Sequence, residues 1–396
     1  MQPLESLLVV AVEQAVAAPI CTRHLADLGA RVIKVETPAG GDFARDYDDV
    51  VRGMAAHFVW ANRNKESIAL DLKQPLGREA LARLIERADV LVQNLAPGAA
   101  ARLGLDSVQL RRQRPRLITV DISGYGRGGP YADARAYDLL VQAEAGSCAI
   151  TGTPEHPAKP GIPLADIGAG MYALSSVLAA LLVRERTGTG AAISVGLFDA
   201  VAEWLGFALN QARYGGSSPQ PNGLSSPMVA PYGAYRTADG QTLVLGTTND
   251  REWQRLATRV LARPDLAQDP RYATNARRVA HRAELDLAIG EWAAEQSLDQ
   301  CREVAAAAGL GHARLNDPAQ VLGHPQLVER DRWREVGSPV GPLLCLLPPP
   351  EVTDWEWRLD PVPGLGEHTE PILRELGFDA DDLAAMRARD VIRASG

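Results

Sequence analysis

One carboxylate lies among residues that could make it reactive. The stretch GIPLADIGAG, residues 161–170, places Asp166 among glycine, alanine, isoleucine and proline. Poor solvation makes a carboxylate more basic and more nucleophilic, and an activated carboxylate can attack a thioester and carry the acyl group. Gly168 and Gly170 are expected to leave room for a ligand and to offer backbone N–H donors to an oxyanion. The competing interpretation is a helix cap, because the apolar segment MYALSSVLAALLV follows directly.

The remaining motifs argue against several common kinds of site. In the loop ISGYGRGGP, proline, tyrosine and aspartate follow the glycines where a dinucleotide-binding fold needs a helix to begin. The histidines form no H-x-x-x-H pair, so we predict no metal site. No G-x-S-x-G occurs, which argues against a serine hydrolase. The cysteines are too far apart for a C-x-x-C pair, which argues against zinc and a disulfide framework: Cys21, Cys148, Cys301 and Cys345.

The composition is typical of a soluble globular enzyme. Of the 396 residues, 46% are hydrophobic and 23% charged, which suffices for large cores. The formal net charge of −8 argues against nucleic-acid binding. The longest apolar run, about 13 residues, is shorter than a membrane span, and the N-terminus lacks the basic region of a secretory signal. We therefore expect a cytoplasmic protein that binds neither nucleic acid nor membrane.

Two hydrophobic periodicities alternate in the first 200 residues. Apolar and β-branched runs predict the strands LLVVAV, RVIKVE, SIALDL, DVLVQNL, LITVDIS and AAISVGLF. Between some of them, TRHLADLGA and LGREALARLIERA repeat apolar residues at three- and four-residue spacing, which predicts amphipathic helices. This alternation is typical of βαβ units and a mostly parallel sheet.

Changes of composition predict the domain boundaries. Residues 1–200 are expected to form a large α/β domain, followed by a linker or active-site loop at 201–230 that is rich in glycine, serine and proline. A hairpin with its turn at ADG and three helical segments predict a smaller α/β domain at 231–320. A second linker at 321–350 leads to a helical segment at 351–396, which we expect to pack on the large domain.

Successive blocks of the sequence resemble the class III CoA-transferases. That family includes formyl-CoA transferase, the succinyl-CoA-dependent dicarboxylate CoA-transferases and α-methylacyl-CoA racemase. The blocks, in chain order, are CTRHLADLGARVIKVETPAGGDFARD, ANRNKESIALDLKQPLGRE, ADVLVQNLAPGAAARLGL, ISGYGRGGPYADARAYD, PLADIGAG, GLFDA and LGEHTEPILRELG. The resemblance implies an α/β fold with a Rossmann-like large domain and mostly parallel sheet, a smaller α/β domain, and an interlocked homodimer.

The resemblance also implies a role for Asp166. In the family, the aspartate of the block matching PLADIGAG attacks the acyl-CoA donor to give a mixed anhydride. The released CoA thiolate then forms an aspartyl-CoA thioester, and an acceptor carboxylate attacks next and receives the CoA. The CoA thioester is therefore a substrate, small carboxylic acids are the other partners, and neither a metal nor a tightly bound cofactor is implied.

CoA contacts carry over from the family by position. The matching residues are Val16, Ala17, Thr37, Leu70, Asp71, Leu72, Lys73, Asn94, Leu95, Ala96, Arg102, Arg135, Ala136, Tyr137 and Asp138. CoA carries several phosphate charges, so an acidic protein needs local lysine and arginine side chains to hold it. For Lys73, a solvated helix start is the alternative interpretation.

Departures from formyl-CoA transferase bear on the substrate. Val16 replaces a glutamine of that enzyme, Thr37 replaces an arginine, and NGLSSPMVAPYGAY stands in place of a glycine-rich loop. This loop looks more like that of the succinyl-CoA-dependent enzymes, which predicts succinyl-CoA as donor and a dicarboxylate as acceptor. The side chains that could contact the acceptor are Ser225, Ser226, Tyr232 and Arg236. The alternative interpretation is that these residues only shape the loop.

Two alternatives stay open at this point. The first is an acyl-CoA racemase or epimerase on the same fold, but that branch needs a histidine where this chain has Tyr137, and a tyrosine with a pKa near 10 is a poor base at neutral pH. The second is a CoA-binding protein without turnover, in which Asp166 is only a helix cap.

Overall fold

The structure, a computed structural model, describes residues 2–393. Contacts divide the chain into two compact units. The first unit comprises Met1–Ala145, Pro160–Gly206 and Glu329–Gly396, and the second comprises Gly146–Lys159 and Phe207–Val328. The chain therefore leaves the first unit twice and returns to it twice.

The described residues contain twelve strands. In chain order, β1 to β12 are Leu8–Val12, Arg31–Glu36, Lys65–Leu70, Val90–Gln93, Ile118–Ser123, Ala192–Gly196, Tyr232–Arg236, Thr242–Gly246, Gly311–Arg314, Trp333–Val336, Leu343–Leu346 and Ile392–Arg393.

The same part of the chain contains eighteen α-helices. In chain order, α1 to α18 are Ala17–Asp27, Ala56–Asn62, Pro75–Arg87, Ala99–Arg102, Ser107–Gln113, Asp138–Ala145, Leu164–Thr187, Leu197–Trp204, Gly206–Tyr214, Asp250–Arg255, Pro264–Gln268, Asn275–Ala280, Arg282–Ala294, Leu298–Ala307, Pro318–Leu322, Pro325–Val328, Thr369–Glu375 and Ala380–Ala388.

The first unit is built on a seven-stranded sheet in the order β12-β3-β2-β1-β4-β5-β6. Strands β1 to β6 run parallel, and β12 pairs antiparallel with β3 at the edge. The chain places β2 and β3 on one side of β1 and then crosses to β4 on the other, so the topological switch point lies between β1 and β4. Ligands of open α/β sheets bind at the carboxyl ends of the strands at such a point. The predicted α/β class with a mostly parallel sheet is confirmed.

Hydrophobic runs explain why these strands are central. Every residue of β4 is buried, and Val9, Val10 and Ala11 of β1 are fully buried, as both faces of a parallel sheet require. Helices α17 and α18 contribute Ile372, Leu373 and Met386 to the same core cluster as Leu81 of α3. The C-terminal segment is therefore an integral part of the first unit.

Helix α7 is the longest of the described helices and carries Asp166. It ends at Gly188, whose φ of 72° gives the left-handed conformation that glycine adopts without strain. By length and composition it could cross a membrane, and 44% of its most apolar window is buried. One such helix is weak evidence for a span, because the core helix of a soluble protein passes the same test. The sequence estimate of about 13 apolar residues understated this helix, since small and polar residues continue the same element.

The second unit contains an antiparallel sheet in the order β7-β8-β9. Its own core is formed by Leu243 and Leu245 of β8 with Trp253, Ile289 and other apolar side chains of the surrounding helices. The predicted hairpin at β7–β8 is present, and β9 was not predicted.

Both predicted linkers contain regular structure. Segment 201–230 begins inside α8 and includes all of α9, and segment 321–350 contains the antiparallel hairpin β10–β11. In the hairpin, Val336 and Leu343 are buried in a small cluster with Phe58 and Val362. The glycines and prolines that suggested linkers flank these elements, and tertiary burial decides their interiors.

Candidate active site

The beginning of α7 is capped by a carboxylate from another helix. Pro163, which precedes α7, offers no side-chain cap. Asp138, the first residue of α6, instead accepts hydrogen bonds through Oδ1 from the backbone N–H of Ala165 at 2.9 Å and of Asp166 at 3.4 Å. Gln142 Nε2 donates to Asp138 Oδ2 at 2.7 Å. Asp138 therefore does the capping that was the competing interpretation of Asp166.

The Asp166 carboxylate does not cap the helix. It lies in the first turn of α7 and is half-buried, and no donor within residues 2–393 hydrogen-bonds to its side chain. Burial, and secondly the negative charge of Asp138, raise the pKa of Asp166 from its ordinary value of 3.8 to about 7. A carboxylate that is partly protonated near neutral pH and lacks stabilising donors is a strong oxygen nucleophile once ionised.

Tyr47 lies near this carboxylate and was missed by the sequence analysis. Burial, and then the charges of Asp42, Asp166 and Tyr137, raise the pKa of Tyr47 to about 12. The phenol is therefore a neutral O–H donor at physiological pH. Its ring packs 5.7 Å, centroid to centroid, from His57. The signal in the sequence was weak, because the tyrosine follows the short 3-10 turn Phe43–Asp46 and belongs to no periodic element.

Gly168 and Gly170 are packing positions, which corrects the expectation that they leave room for a ligand. A Cβ at Gly170 would come within 2.6 Å of the Ala17 carbonyl oxygen, and one at Gly168 would come within 3.2 Å of the Trp204 ring. Both glycines lie inside α7, so their N–H groups belong to a helix and not to an open loop. The small size of Gly170 lets the start of α1 pack against α7 one turn after Asp166, and that of Gly168 makes room for Trp204 of α8.

The turn between β1 and α1 is held by two side chains. Ala15 has a φ of +62°, which costs energy for a residue other than glycine, and its N–H donates to Asp42 Oδ1 at 2.9 Å. The Asn94 side chain accepts from Gln14 N at 2.9 Å and donates to Gln14 O at 2.8 Å. Asn94, predicted to contact CoA, therefore uses its amide to fix this turn.

Beneath the turn lies a buried network of opposite charges. Lys34 Nζ contacts Asp42 Oδ2 at 2.7 Å, and Lys65 Nζ contacts Glu13 Oε1 at 2.7 Å. Thr22 Oγ1 donates to Glu13 Oε2 at 2.7 Å. Burial alone would raise the pKa of Glu13, but Lys65 and Lys34 outweigh it and bring that pKa below its ordinary value. The network fixes the carboxyl ends of β1 and β2 and the start of β3.

A cavity of about 300 Å³ opens at the carboxyl ends of the strands on the β3 side of the switch point. It is lined by Val12, Glu13, Gln14, Val35, Glu36, Thr37, Gly41, Asp42, Leu70, Asp71, Leu72, Lys73, Leu95 and Leu103. Six of the positions predicted to contact CoA are brought together here: Thr37, Leu70, Asp71, Leu72, Lys73 and Leu95. Their contact with CoA stays a prediction.

The other predicted positions do not line this cavity. Val16 and Ala17 form the start of α1 beside it, where no side chain caps the helix. Asn94 and Ala96 flank Leu95, and Arg102 ends α4 directly before Leu103. Of the segment Arg135, Ala136, Tyr137 and Asp138, Asp138 contacts the backbone of Asp166, Ala136 packs on Gly124, and Tyr137 is 61% exposed.

The predicted acceptor loop lies in the second unit and is tightly hydrogen-bonded. Arg278 is buried, and its Nε donates to Ala230 O at 2.9 Å, while Arg282 donates to the carbonyls of Ser226 and Val229. Asn275 Nδ2 donates to Met228 O at 2.9 Å. The loop conformation is therefore fixed by helices α12 and α13.

The side chains predicted to contact an acceptor differ in whether they already have hydrogen-bond partners and whether they are exposed. The Ser225 hydroxyl bonds to Asn222, and Ser226 Oγ accepts from Met228 N at 3.3 Å. Tyr232 and Arg236 share the exposed face of β7 but stand at its opposite ends. The four-residue spacing along the strand places their Cα atoms about 13 Å apart. One short acceptor could therefore contact both Arg236 and Tyr232 only if the two side chains extend toward each other.

Comparisons with known proteins agree with this geometry. The sequence matches the description "CoA-transferase family III" over residues 4–369. It is 33% identical over 403 residues to the succinyl-CoA–D-citramalate CoA-transferase of Chloroflexus aurantiacus, covering 99% of this chain and 98% of that protein. It is 35% identical over 388 residues to the succinate–glutarate CoA-transferase of Agrobacterium fabrum, covering 94% and 96%. A CAIB/BAIF family protein from Brucella suis has a similar crystal structure, with TM-score 0.83, 36% identity, and 95% and 99% coverage.

The first unit thus combines an α/β sheet, a cavity at the carboxyl ends of its strands, and on α7 a half-buried carboxylate with a raised pKa. The family match over most of the chain and the near full-length relatives identify the family. The chain belongs to CoA-transferase family III, and CoA thioesters and carboxylates fit it as substrates.

Proposed function

We propose that the protein moves CoA from succinyl-CoA to a small dicarboxylic acid through a thioester on Asp166. The observation that supports this proposal is that one aspartate caps the start of α7 while a second one, in its first turn, keeps a free carboxylate. Asp138 caps the helix through the N–H groups of Ala165 and Asp166, and Asp166 keeps an unpartnered carboxylate with a pKa raised to about 7.

The reaction proceeds in four substitutions at carbonyl carbon. A carboxylate oxygen of Asp166 attacks the thioester carbon of the donor, and the C–S bond breaks to release CoA thiolate and leave a mixed anhydride. The thiolate attacks Asp166 Cγ, which frees the donor acid as its carboxylate and forms the aspartyl-CoA thioester. The acceptor carboxylate attacks Cγ and expels the thiolate. The thiolate then attacks the acceptor carbonyl and regenerates Asp166.

Groups around Asp166 support these steps physically. The neutral phenol of Tyr47 is a hydrogen-bond donor in the region of Asp166, whose charge contributes to its raised pKa, and its proposed role is to stabilise a developing oxyanion. The start of α1, where no side chain caps the N–H groups, packs on α7 through the contact of Ala17 with Gly170, one turn after Asp166. The helix dipole of α1 favours negative charge there.

The predicted CoA contacts are part of this proposal. The cavity at the carboxyl ends of β1, β2 and β3 collects Thr37, the Leu70–Lys73 segment and Leu95, at the edge where open α/β sheets bind ligands. Arg102 and Arg135 are exposed cations that can meet phosphate or carboxylate groups.

Two observations support a dicarboxylate acceptor and a succinyl-CoA donor. The relatives from Chloroflexus and Agrobacterium are named for succinyl or succinate together with citramalate or glutarate. The loop that differs from formyl-CoA transferase exposes Tyr232 and is held in one conformation by Arg278 and Arg282. A fixed site that pairs a distal carboxylate discriminates strongly against an acid that lacks one.

The racemase alternative needs a histidine that acts as acid and base beside the thioester. The family position for that group is Tyr137, whose ring is mostly exposed. A tyrosine side chain is intrinsically a poorer general base at neutral pH than a histidine side chain. The transferase is therefore favoured, and the racemase predicts measurable exchange of the α-proton of a 2-methylacyl-CoA in heavy water.

The covalent step is tested by trapping. The protein is incubated with succinyl-CoA and hydroxylamine, digested and analysed by mass spectrometry. We expect a hydroxamate on Asp166 in the wild type and none in Asp166→Asn, because an amide is not a nucleophile toward a thioester. The exposed aspartate Asp133 provides the control Asp133→Asn, which should still be labelled. Substantial transfer by Asp166→Asn would refute the mechanism.

Acceptor choice needs a separate experiment. With succinyl-CoA as common donor, kcat/KM is compared for glutarate and for hexanoate, which have similar chain lengths and differ in the distal carboxylate. We expect glutarate to be favoured by at least about 100-fold, since unpaired polar groups of the site oppose the apolar end. Equal values would refute the dicarboxylate assignment and leave the covalent mechanism intact.

A homodimer is also part of the proposal. The first unit exposes large apolar side chains on α6 and α7, among them Leu139, Leu140, Leu182 and Val183. Large apolar side chains left exposed on neighbouring helices are candidates for an interface. Light scattering at micromolar concentration should give twice the mass of the chain, and a monomer would refute this assignment. The cytoplasmic location is proposed with it, and fractionation of cells tests that point.

A further inference from the structure

Asp42 is a buried carboxylate whose two oxygens make different contacts. Oδ1 accepts hydrogen bonds from the backbone N–H groups of Ala15 and Ala44, both at 2.9 Å. Oδ2 contacts Lys34 Nζ at 2.7 Å, and both side chains are fully buried. A single oxygen therefore joins the turn between β1 and α1 to the 3-10 turn Phe43–Asp46, although α1 and β2 separate these segments in the sequence.

The turn between β1 and α1 depends on outside contacts to keep its conformation. Ala15 has a φ of +62°, a left-handed conformation that costs energy for alanine and persists only where surrounding contacts impose it. Asp42 provides one of these contacts, and α1 begins two residues later at Ala17. A Cβ at Gly170 of α7 would come within 2.6 Å of the Ala17 carbonyl oxygen, so the start of α1 lies against α7 one turn after Asp166. The β1–α1 turn therefore sets where α1 begins beside the proposed nucleophile.

The 3-10 turn that Asp42 also holds leads to Tyr47. Asp42 is the N-cap residue of this turn, because its Oδ1 accepts from Ala44 N, and Tyr47 directly follows the turn. Burial, and then the charges of Asp42 and Asp166, raise the pKa of Tyr47, so its phenol stays a neutral donor in the region of the nucleophile. Loss of the Asp42 carboxylate would therefore release the β1–α1 turn and the turn before Tyr47 together.

Two neighbours hold Asp42 in this orientation. Burial alone would lower the pKa of Lys34, but the charges of Glu13 and Asp42 outweigh it and raise that pKa above its ordinary value. Lys34 is therefore a cation at neutral pH, and the buried Asp42 carboxylate needs it as a partner. Glu36 restrains the backbone, because its Oε1 accepts from Asp42 N at 2.9 Å. A rotation of the Asp42 side chain would break the ion pair and both hydrogen bonds of Oδ1 together.

We propose that Asp42 is a positioning residue for the covalent step on Asp166. It acts through the two segments that its Oδ1 atom joins, the β1–α1 turn and the turn that leads to Tyr47. The inference rests on the proposed use of Asp166 as the nucleophile. Small displacements of the groups around reacting atoms slow a reaction strongly, so loss of these two hydrogen bonds should slow adduct formation more than it weakens binding of CoA. The role belongs to the accepting oxygen and not to the charge, so an amide oxygen should fill it once the facing ammonium is also removed.

The test compares two double variants with side chains of similar shape at position 42. Both contain Lys34→Met, which removes the buried cation together with the Asp42 charge, and replacement of a buried ion pair by uncharged groups is often neutral for stability. Asp42→Asn keeps an oxygen that can accept from Ala15 N and Ala44 N, whereas Asp42→Leu has none. Adduct formation on Asp166 at saturating succinyl-CoA is measured by rapid quenching and intact-mass analysis. CoA binding is measured by calorimetry, and the stability of each variant by urea unfolding.

The two double variants should differ in rate. We expect the Asp42→Leu double variant to form the adduct about 10- to 100-fold more slowly than the wild type, the range for a small misplacement of groups around a reaction. Its dissociation constant for CoA should change by a smaller factor. The Asp42→Asn double variant should recover most of the lost rate, because the oxygen that joins the two turns is kept.

Asp27→Leu is the matched control for the loss of a buried carboxylate. Asp27 is fully buried in the same unit, and its carboxylate accepts from Arg63 and Asn64 at the other end of α1. This variant should lose stability and form the adduct at the wild-type rate. Equal rates in the two double variants, or slowing by Asp27→Leu as large as in the Asp42→Leu double variant, would overturn the proposal. Absence of the adduct in the wild type would refute the transferase mechanism, and this proposal with it.

Discussion

The raised pKa of Asp166 predicts how the covalent step depends on pH. Only the ionised carboxylate attacks a thioester, and burial together with the Asp138 charge raises its pKa to about 7. The ionised fraction is then about one tenth at pH 6 and about nine tenths at pH 8. The rate of adduct formation should therefore rise roughly tenfold between these two values. An aspartate with its ordinary pKa of 3.8 would give a flat profile over the same range.

The assay is rapid quenching of the enzyme with succinyl-CoA, followed by intact-mass analysis. Measuring formation of the adduct at saturating donor isolates the covalent step from release of the product. Buffers of constant ionic strength from pH 5 to 9 are needed, and the structure must be checked by circular dichroism at both ends. A rate that is independent of pH between 6 and 8 would refute the assignment of a raised pKa to the nucleophile.

Asp138→Asn adds a second arm to this experiment. Asparagine still offers an oxygen to the N–H groups of Ala165 and Asp166, so the cap is kept while the charge is lost. The pKa of Asp166 should fall but stay above 3.8, because burial is the larger cause. The rising limb of the profile should move to lower pH. An unchanged limb would show that Asp138 does not influence the nucleophile electrostatically.

Three further predictions concern stability. Since the native state binds the Asp166 proton more tightly than the unfolded state, the fold loses stability as the pH rises from about 3.8 to about 7 and loses no more above that. A shift of about three pKa units corresponds to about 4 kcal/mol of unfolding free energy, and solvent reduces this at a half-buried group. Asp166→Asn should therefore be about 1–3 kcal/mol more stable than wild type at pH 8 and equal to it near pH 4. Urea unfolding at the two pH values measures the difference. Lys34→Met should cost about 3–5 kcal/mol, because it leaves Asp42 buried without its cation; a neutral effect in the same assay would contradict the network. Gly170→Ala should lower the melting temperature and adduct formation together, because its Cβ would meet the Ala17 carbonyl at 2.6 Å; wild-type values for both would disprove the close contact of α1 with α7.

The parallel strands were the most predictable part of the fold. The run RVIKVE corresponds to β2 at both ends, and LITVDIS includes all of β5, because residues buried on both faces leave a continuous apolar signal. The short strands β9 to β12 left no comparable signal, since they lie at edges or in a small hairpin. Helix α2 was also missed, because its seven residues follow no clear amphipathic period.

The site was only partly predictable, for a physical reason. Asp166 stood out because a carboxylate among apolar neighbours is unusual, and the blocks around Lys73 stood out by resemblance. What the sequence could not show was which carboxylate caps α7, since Asp138 precedes Asp166 by 28 positions and meets it only through tertiary structure. The surroundings of Tyr47 and the cavity at the ends of the strands could not be predicted either, because each depends on residues brought together from separate segments.

The two carboxylates at the start of α7 illustrate how one local arrangement produces both stability and reactivity. A helix start attracts negative charge, and an aspartate in its first turn would ordinarily be stabilised by the free N–H groups and have a low pKa. Here Asp138 occupies those donors, so Asp166 receives burial and repulsion in place of stabilisation. The helix keeps its cap, and Asp166, the proposed nucleophile, keeps a pKa near neutral pH. Moving the cap to Asp166 would preserve the fold and lower the reactivity, which is why the position of Asp138 matters as much as that of the nucleophile itself.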